Sequence, residues 1–152
     1  MAVGTSLRVS RPPADSVEVR SWVLDSFREL RLLRTSLHEA LTGEPMPDGG
    51  VLDQIPEKMA LVATELAANA LAHTRPPTRV RLCRTEHSFI LDVADHDPAL
   101  VPRLADQRRA RTGGRGLHIT RKLAIDLGWY VDGEIKHVWA QFAIPRPVAD
   151  PA

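Results

Sequence analysis

Apolar positions recur along the chain with two periods, and the switches between them outline the elements. Val19, Trp22, Val23, Phe27, Leu30 and Leu33 fall at helical spacing. They predict one long amphipathic helix from a cap at Asp15 or Ser16 to about Ala40, with Glu18 at the positive end of its dipole. Ahead of it, Ser6, Leu7, Arg8, Val9 and Ser10 form a candidate short strand closed by Pro12 and Pro13. Residues 42–56 are dense in Pro, Gly and Asp and predict a loop. A second helix begins near Pro56, where proline is tolerated in a first turn, and stops before Pro76 and Pro77.

The period then changes to two. Val80 and Leu82 alternate with Arg79 and Arg81, and Phe89, Leu91 and Val93 flank Asp92, which predicts a hairpin over residues 78–94. Residues 95–116 carry no clear period and read as a loop or lid. Ile119, Leu123 and Leu127 return to helical spacing over residues 117–127. Strands over 128–131 and 136–144 flank the turn Asp132, Gly133 and Glu134, with Val138, Ala140, Phe142 and Ile144 on one face. The expected fold class is α+β: a two-layer α/β sandwich, its sheet mixed but mainly antiparallel and covered on one face by helices.

Composition narrows the class. The 152 residues suit a single domain, with a core over about 8–144 and a polar tail over 145–152. The one cysteine, Cys83, excludes a disulfide scaffold. No apolar run approaches the ~18 residues of a membrane span, and residues 1–10 lack the pattern of a secretory signal. A cytoplasmic protein is expected, with no membrane partner. Twenty Lys and Arg against nineteen Asp and Glu give a net charge of +1, against a general nucleic-acid binder. Arg79 and Arg81 also lack the interleaved aromatics of a single-strand binder.

Three places break the pattern. Glu65, Asn69 and His73 follow one another at i to i+4 and share an arc with Val62, Leu66 and Ala70. Either the two polar side chains lie at the helix edge in water, or they form a cavity floor. There the carboxylate would polarise a nucleophile and the amide oxygen would hold a hard cation. Thr112, Gly113, Gly114, Arg115, Gly116 and Leu117 open a helix, either as a plain turn or as a backbone cradle for an anion. Asp95 ends an apolar strand ahead of His96, Asp97 and Pro98, as a turn former or as an acceptor for an exocyclic amine.

Taken in order, Glu65-Leu66-x-x-Asn69-Ala70, a hairpin, an Asp at a strand end, a short lid and Gly-Gly-Arg-Gly-Leu resemble the GHKL (histidine kinase-like) ATPases. Gly113 to Leu117 and the stretch Val138-Trp139-Ala140-Gln141-Phe142 are similar to the RsbW-type anti-sigma-factor serine kinases in their actinobacterial form. The resemblance runs from about Arg8 to Ile144 and implies the Bergerat ATP-binding fold. It implies that Asn69 ligates Mg²⁺ on the ATP phosphates and that Glu65 is the general base or orients the nucleophile, beside the same ion. It places His73 and Thr74 at the end of the first motif, although His73 at a helix C-terminus also reads as a simple cap. Asp95 would accept from the adenine amino group with Asp97 beside it, and Gly113, Gly114, Arg115, Gly116 and Leu117 would meet the phosphates.

Asp97 and Ala99 stand where the family's second motif carries glycine. His38 and His118 read as surface helical histidines, so a histidine-kinase reaction is not expected. The function implied is a serine/threonine-protein kinase and anti-sigma factor. Its partners would be a STAS-type anti-anti-sigma factor, a sigma factor, or a second copy of the chain. A nucleotide-gated binding module without turnover and a scaffold that no longer binds ATP are the alternatives. Charge is also uneven. Residues 98–125 hold Arg103, Arg108, Arg109, Arg111, Arg115, Arg121 and Lys122 against Asp106, seven positive to one negative, so +6 locally and −5 elsewhere. That excess is either a solvated loop or a pocket suited to a triphosphate.

Overall fold

The computed structural model describes residues 8–42, 55–97 and 122–144. Its strands are β1 (Val17–Leu24), β2 (Thr78–Arg84), β3 (Ser88–Asp95), β4 (Asp126–Asp132) and β5 (Ile135–Ala143), in the spatial order β1-β2-β3-β5-β4. Every neighbouring pair is antiparallel. Two helices, α1 (Leu30–Thr42) and α2 (Ile55–His73), pack on each other, and α2 lies on β2, β3 and β5. The fold is therefore α+β, one open sheet with helices on one face, as the patterning predicts.

The core between these layers is aliphatic. Leu33, Leu37, Met59, Val62 and Ala63 from the helices meet Val80, Leu82, Leu91, Ala140 and Phe142 from the sheet, all buried. Each large side chain removed from water in this way contributes roughly 1.5–3 kcal/mol. The β4–β5 turn needs its glycine: Gly133 has φ +64°, a left-handed conformation that glycine adopts without steric cost.

The first long helix is corrected. Residues 17–24 form edge strand β1, paired with β2, and the helical part begins only at a 3₁₀ turn, Phe27–Glu29, leading into α1. The register shifts between Glu18 and Arg20, a bulge that interrupts the two-residue alternation and leaves apolar spacings resembling a helix. Trp22 faces α1, its indole Nε1 donating to Ser36 Oγ at 2.9 Å. The break itself had a signal. Ser26-x-x-Glu29 has capping-box spacing, although Ser26 makes no side-chain cap bond and Glu29 Oε1 accepts the amide of the preceding residue, Asp25, at 2.8 Å.

The helix expected over 117–127 is also corrected at its end. Lys122 and Leu123 are helical, but β4 begins at Asp126, so Leu127 packs on the core from a strand. Of the strand expected at residues 6–10, the described part makes a single parallel bridge, Val9 to Trp129. His38 is not on the surface: it is 4% exposed on α1, with Nε2 3.1 Å from Glu57 Oε1 on α2.

The second face of the sheet is covered in part by residues 8–16. This segment enters along the free edge of β4, where Ser10 N–H donates to Trp129 O and Trp129 N–H to Arg8 O. Trp139 Nε1 then donates to Ser10 O at 2.8 Å, and the Arg11 guanidinium lies 4.5 Å from the Tyr130 ring. The chain crosses to β1 at the opposite edge, over a cavity of about 320 Å³ floored by Arg81, Cys83, Ile90 and Asp92. Gly128 makes the crossing possible. A Cβ there would collide with Ser10 Oγ and lie 3.1 Å from Arg8 O.

Candidate functional site

Of the residues singled out from sequence, those on α2 and Asp95 lie toward one end of the sheet. α2 ends at His73 and four residues lead into β2, whose Arg79 pairs with Ala94 of β3. The last turns of α2 and the last residue of β3, Asp95, are thus brought to the same end. Opposite Asp95 in the ladder stands Lys136, at the start of β5.

On α2, Glu65 and Asn69 are half-buried, flanked by the buried Val62, Leu66 and Ala70. The helix is apolar around most of its circumference, so its two oxygen-bearing side chains stand at the border of the packed arc. Among the described residues, no ion pair engages the Glu65 carboxylate. His73 is exposed in the last turn, where a cation meets the negative end of the dipole. Thr74 follows it, with its N–H and Oγ1 both donating to Ala70 O, at 2.9 and 2.8 Å, which closes the helix end.

Asp95 differs from an ordinary turn aspartate. It is 4% exposed, and its parity in β3 matches Leu91 and Val93, so it faces the helical layer. Its Oδ1 accepts the Asp97 N–H at 2.9 Å, and Lys136 Nζ lies 3.3 Å from its Oδ2. Burial pushes the carboxyl above the usual range. The Asp97 N–H and the Lys136 charge oppose that push, and the Asp97 carboxylate adds to it. A carboxylate offers about four acceptor positions, and these two contacts use one on each oxygen. Lys136 was not singled out from sequence, yet the face defined by Val138, Ala140, Phe142 and Ile144 extends back to it at period two.

These groups fit a nucleotide and a hard cation. Asp95 keeps acceptor capacity for an amino group, and Asn69 and Glu65 offer oxygen to a divalent ion. Among the described residues no three His, Cys, Asp or Glu side chains converge as a metal-binding set. Gly113, Gly114, Arg115, Gly116 and Leu117 lie outside the described residues, as do Ala99 and most of the arginine-rich stretch.

A second polar cluster, on the opposite face of the sheet, went unforeseen. Asp92, 2% exposed, is bonded by His137 Nδ1 at 2.8 Å and accepts from Tyr130 OH at 3.3 Å. The Tyr130 and His137 rings stack at 4.5 Å between centroids. Burial, with the Asp92 charge, pushes the Tyr130 phenol up to about 12. Alternation alone assigns these positions to water, and they are enclosed because residues 8–16 fold over them.

No helix among the described residues is long and apolar enough to cross a membrane. No curated protein matches this chain. The solved structure of the Acinetobacter baumannii histidine kinase AdeS is similar over 86% of this chain and 70% of that one, at 13% identity and a TM-score of 0.45. The family model for the histidine kinase-like ATPase domain matches residues 13–142, from the segment that enters β1 almost to the end of β5. That match spans well over half of the sequence, and the chain belongs to the histidine kinase-like ATPase domain family.

Proposed function

We propose that this domain binds Mg²⁺·ATP and acts as a serine/threonine-protein kinase of the anti-sigma-factor type, with a STAS-type anti-anti-sigma factor as phosphoacceptor. The observation that carries the reading is the pairing of half-buried Glu65 and Asn69 on α2 with buried Asp95 at the same end of the sheet. Bound ATP supplies the phosphoryl group. Asp95 accepts from the base amino group, with the Asp97 N–H holding its Oδ1, and Asn69 would hold the cation. Glu65, near that ion, orients a partner hydroxyl and takes its proton. His73 and Thr74 border the phosphate side. Gly113, Gly114, Arg115, Gly116 and Leu117 provide backbone N–H groups for the phosphates. Positioning and charge neutralisation supply most of the rate, as in phosphoryl transfer generally.

A sigma factor is the other partner consistent with this reading, and a second copy of the chain is a further one. The domain works in the cytoplasm. Incubation with labelled ATP and a STAS-domain protein tests the reading. Label should pass to a partner serine or threonine and fall by at least about a hundredfold in Glu65→Ala. Unchanged transfer in that variant contradicts the assignment. Asp97 and Ala99 at family glycine positions motivate a second reading, a scaffold that no longer binds ATP, for which Mg²⁺·ATP leaves the melting temperature unmoved; a nucleotide-gated binding module would be stabilised by ATP while no label moves.

A further inference from the structure

A carboxylate that reads a base beneath a covered surface has a charge problem. Taking Asp95 out of water disfavours its ionised form, and a protonated carboxyl presents an O–H donor where the base amino group needs an acceptor. Among the described residues, the charged groups that act on Asp95 are Lys136, from the start of β5, and Asp97, from the chain beyond β3. α2, packed on the same face of β3, carries Glu65 and His73 along that border, and neither contributes to the shift at Asp95. Among the described residues, Lys136 is therefore the cation that faces it. The two side chains are equally buried, 4% exposed each, with 3.3 Å between Nζ and Oδ2. A lysine on the core-facing side of a central strand is itself costly to bury and calls for a use.

We infer that Lys136 is a positioning residue of the nucleotide site, whose ammonium supplies the countercharge for Asp95 and fixes its carboxylate so that each oxygen keeps one lone pair for an amino-bearing base. This rests on the reading of Asp95 as the base acceptor. The backbone N–H of Asp97 sets one oxygen and the Lys136 ammonium sets the other, so the plane of the carboxyl group is held from both sides. The site then favours a purine with an exocyclic amino group over one with an oxygen at that position, because an oxygen would face the carboxylate.

Two readouts test it on the full chain: the titration of the Asp95 carboxyl carbon by NMR, without nucleotide, and the affinity for ATP and ITP between pH 6 and 9. Lys136→Met keeps the length of the stem and removes the charge. Lys136→Gln keeps a donor and serves if the methionine variant folds poorly. Both should move the Asp95 titration upward by about one unit or more and weaken ATP by about tenfold at pH 6.5. Affinity and the preference for ATP over ITP should recover towards pH 9. Lys136→Arg should behave as wild type. An unmoved Asp95 titration, or a wild-type pH profile of ATP binding in Lys136→Met, overturns the role of Lys136 while leaving Asp95 as the acceptor. Wild-type protein that does not distinguish ATP from ITP overturns the reading of Asp95 itself, and the role of Lys136 with it.

Discussion

At Asp95, binding and stability are set against each other. Its carboxyl is pushed up by burial, so its folded-state value lies above its unfolded one. In such a case the unfolded state gives up its proton first, and stability contributed by the group is present below the unfolded value and lost as pH rises through the folded one. The acceptor role needs the ionised form, so ATP affinity moves the other way and falls as pH drops through that raised value. Asp95→Asn should remove both trends and weaken ATP at neutral pH by at least about tenfold, and because it takes the countercharge away from the buried Lys136 ammonium it should lower stability there rather than raise it. Parallel calorimetric titrations and urea melts from pH 4 to 8 check the opposed signs. Both sides of this site were present in the sequence to different degrees. Asp95 stood out because it ends an apolar strand. Lys136 was hidden because a lone charge in an alternating strand reads as solvent-facing until its parity is counted against Val138 and Ala140.

Two element contacts carry predictions of their own. His38 and Glu57 join α1 to α2 inside the core, and His38 Nδ1 and Glu57 Oε2 have no hydrogen-bond partner among the described residues. His38→Leu removes the hydrogen-bond partner of the buried Glu57 Oε1 and should cost about 1–3 kcal/mol in urea unfolding. Adding Glu57→Leu should return most of that loss, a coupling visible in a double-mutant cycle. At the other face, Gly128→Ala places a methyl against Ser10 and the Arg8 carbonyl, and should cost about 1–3 kcal/mol. It should also raise amide exchange at Ser10 and Trp129, whose bonds hold residues 8–10 to β4.

These elements show where local pattern was enough. α2 and the two hairpins match their periods, because each has one continuous buried face. β1 did not: it is an edge strand with a bulge, so its valines at 17, 19 and 23 stay exposed and give no core-facing alternation. Leu123 and Leu127 kept a helical spacing across a helix-to-strand boundary. The crossing of residues 8–16 over the sheet depends on contacts more than a hundred residues apart, which no local period carries.

At the scale of the whole molecule, one face of the sheet is committed to the two helices and the other is closed in part by the incoming chain. The candidate site occupies the end where α2, β3 and β5 meet. The near-neutral net charge of +1 conceals a +6 stretch between Asp97 and β4, in the part of the sequence that carries the glycine-rich motif. Family membership, the sheet order and the burial of Asp95 are consistent with one another, and the account stands or falls on whether ATP is bound. The most direct measurement is a thermal melt with and without Mg²⁺·ATP, for wild type and Asn69→Ala. At ATP a hundredfold above its dissociation constant, binding adds about 2.7 kcal/mol, so the wild-type melting temperature should rise by roughly 5–10 °C and keep rising with ATP concentration. Asn69→Ala should lose most of that rise. A wild-type melting temperature unmoved by millimolar Mg²⁺·ATP would contradict it.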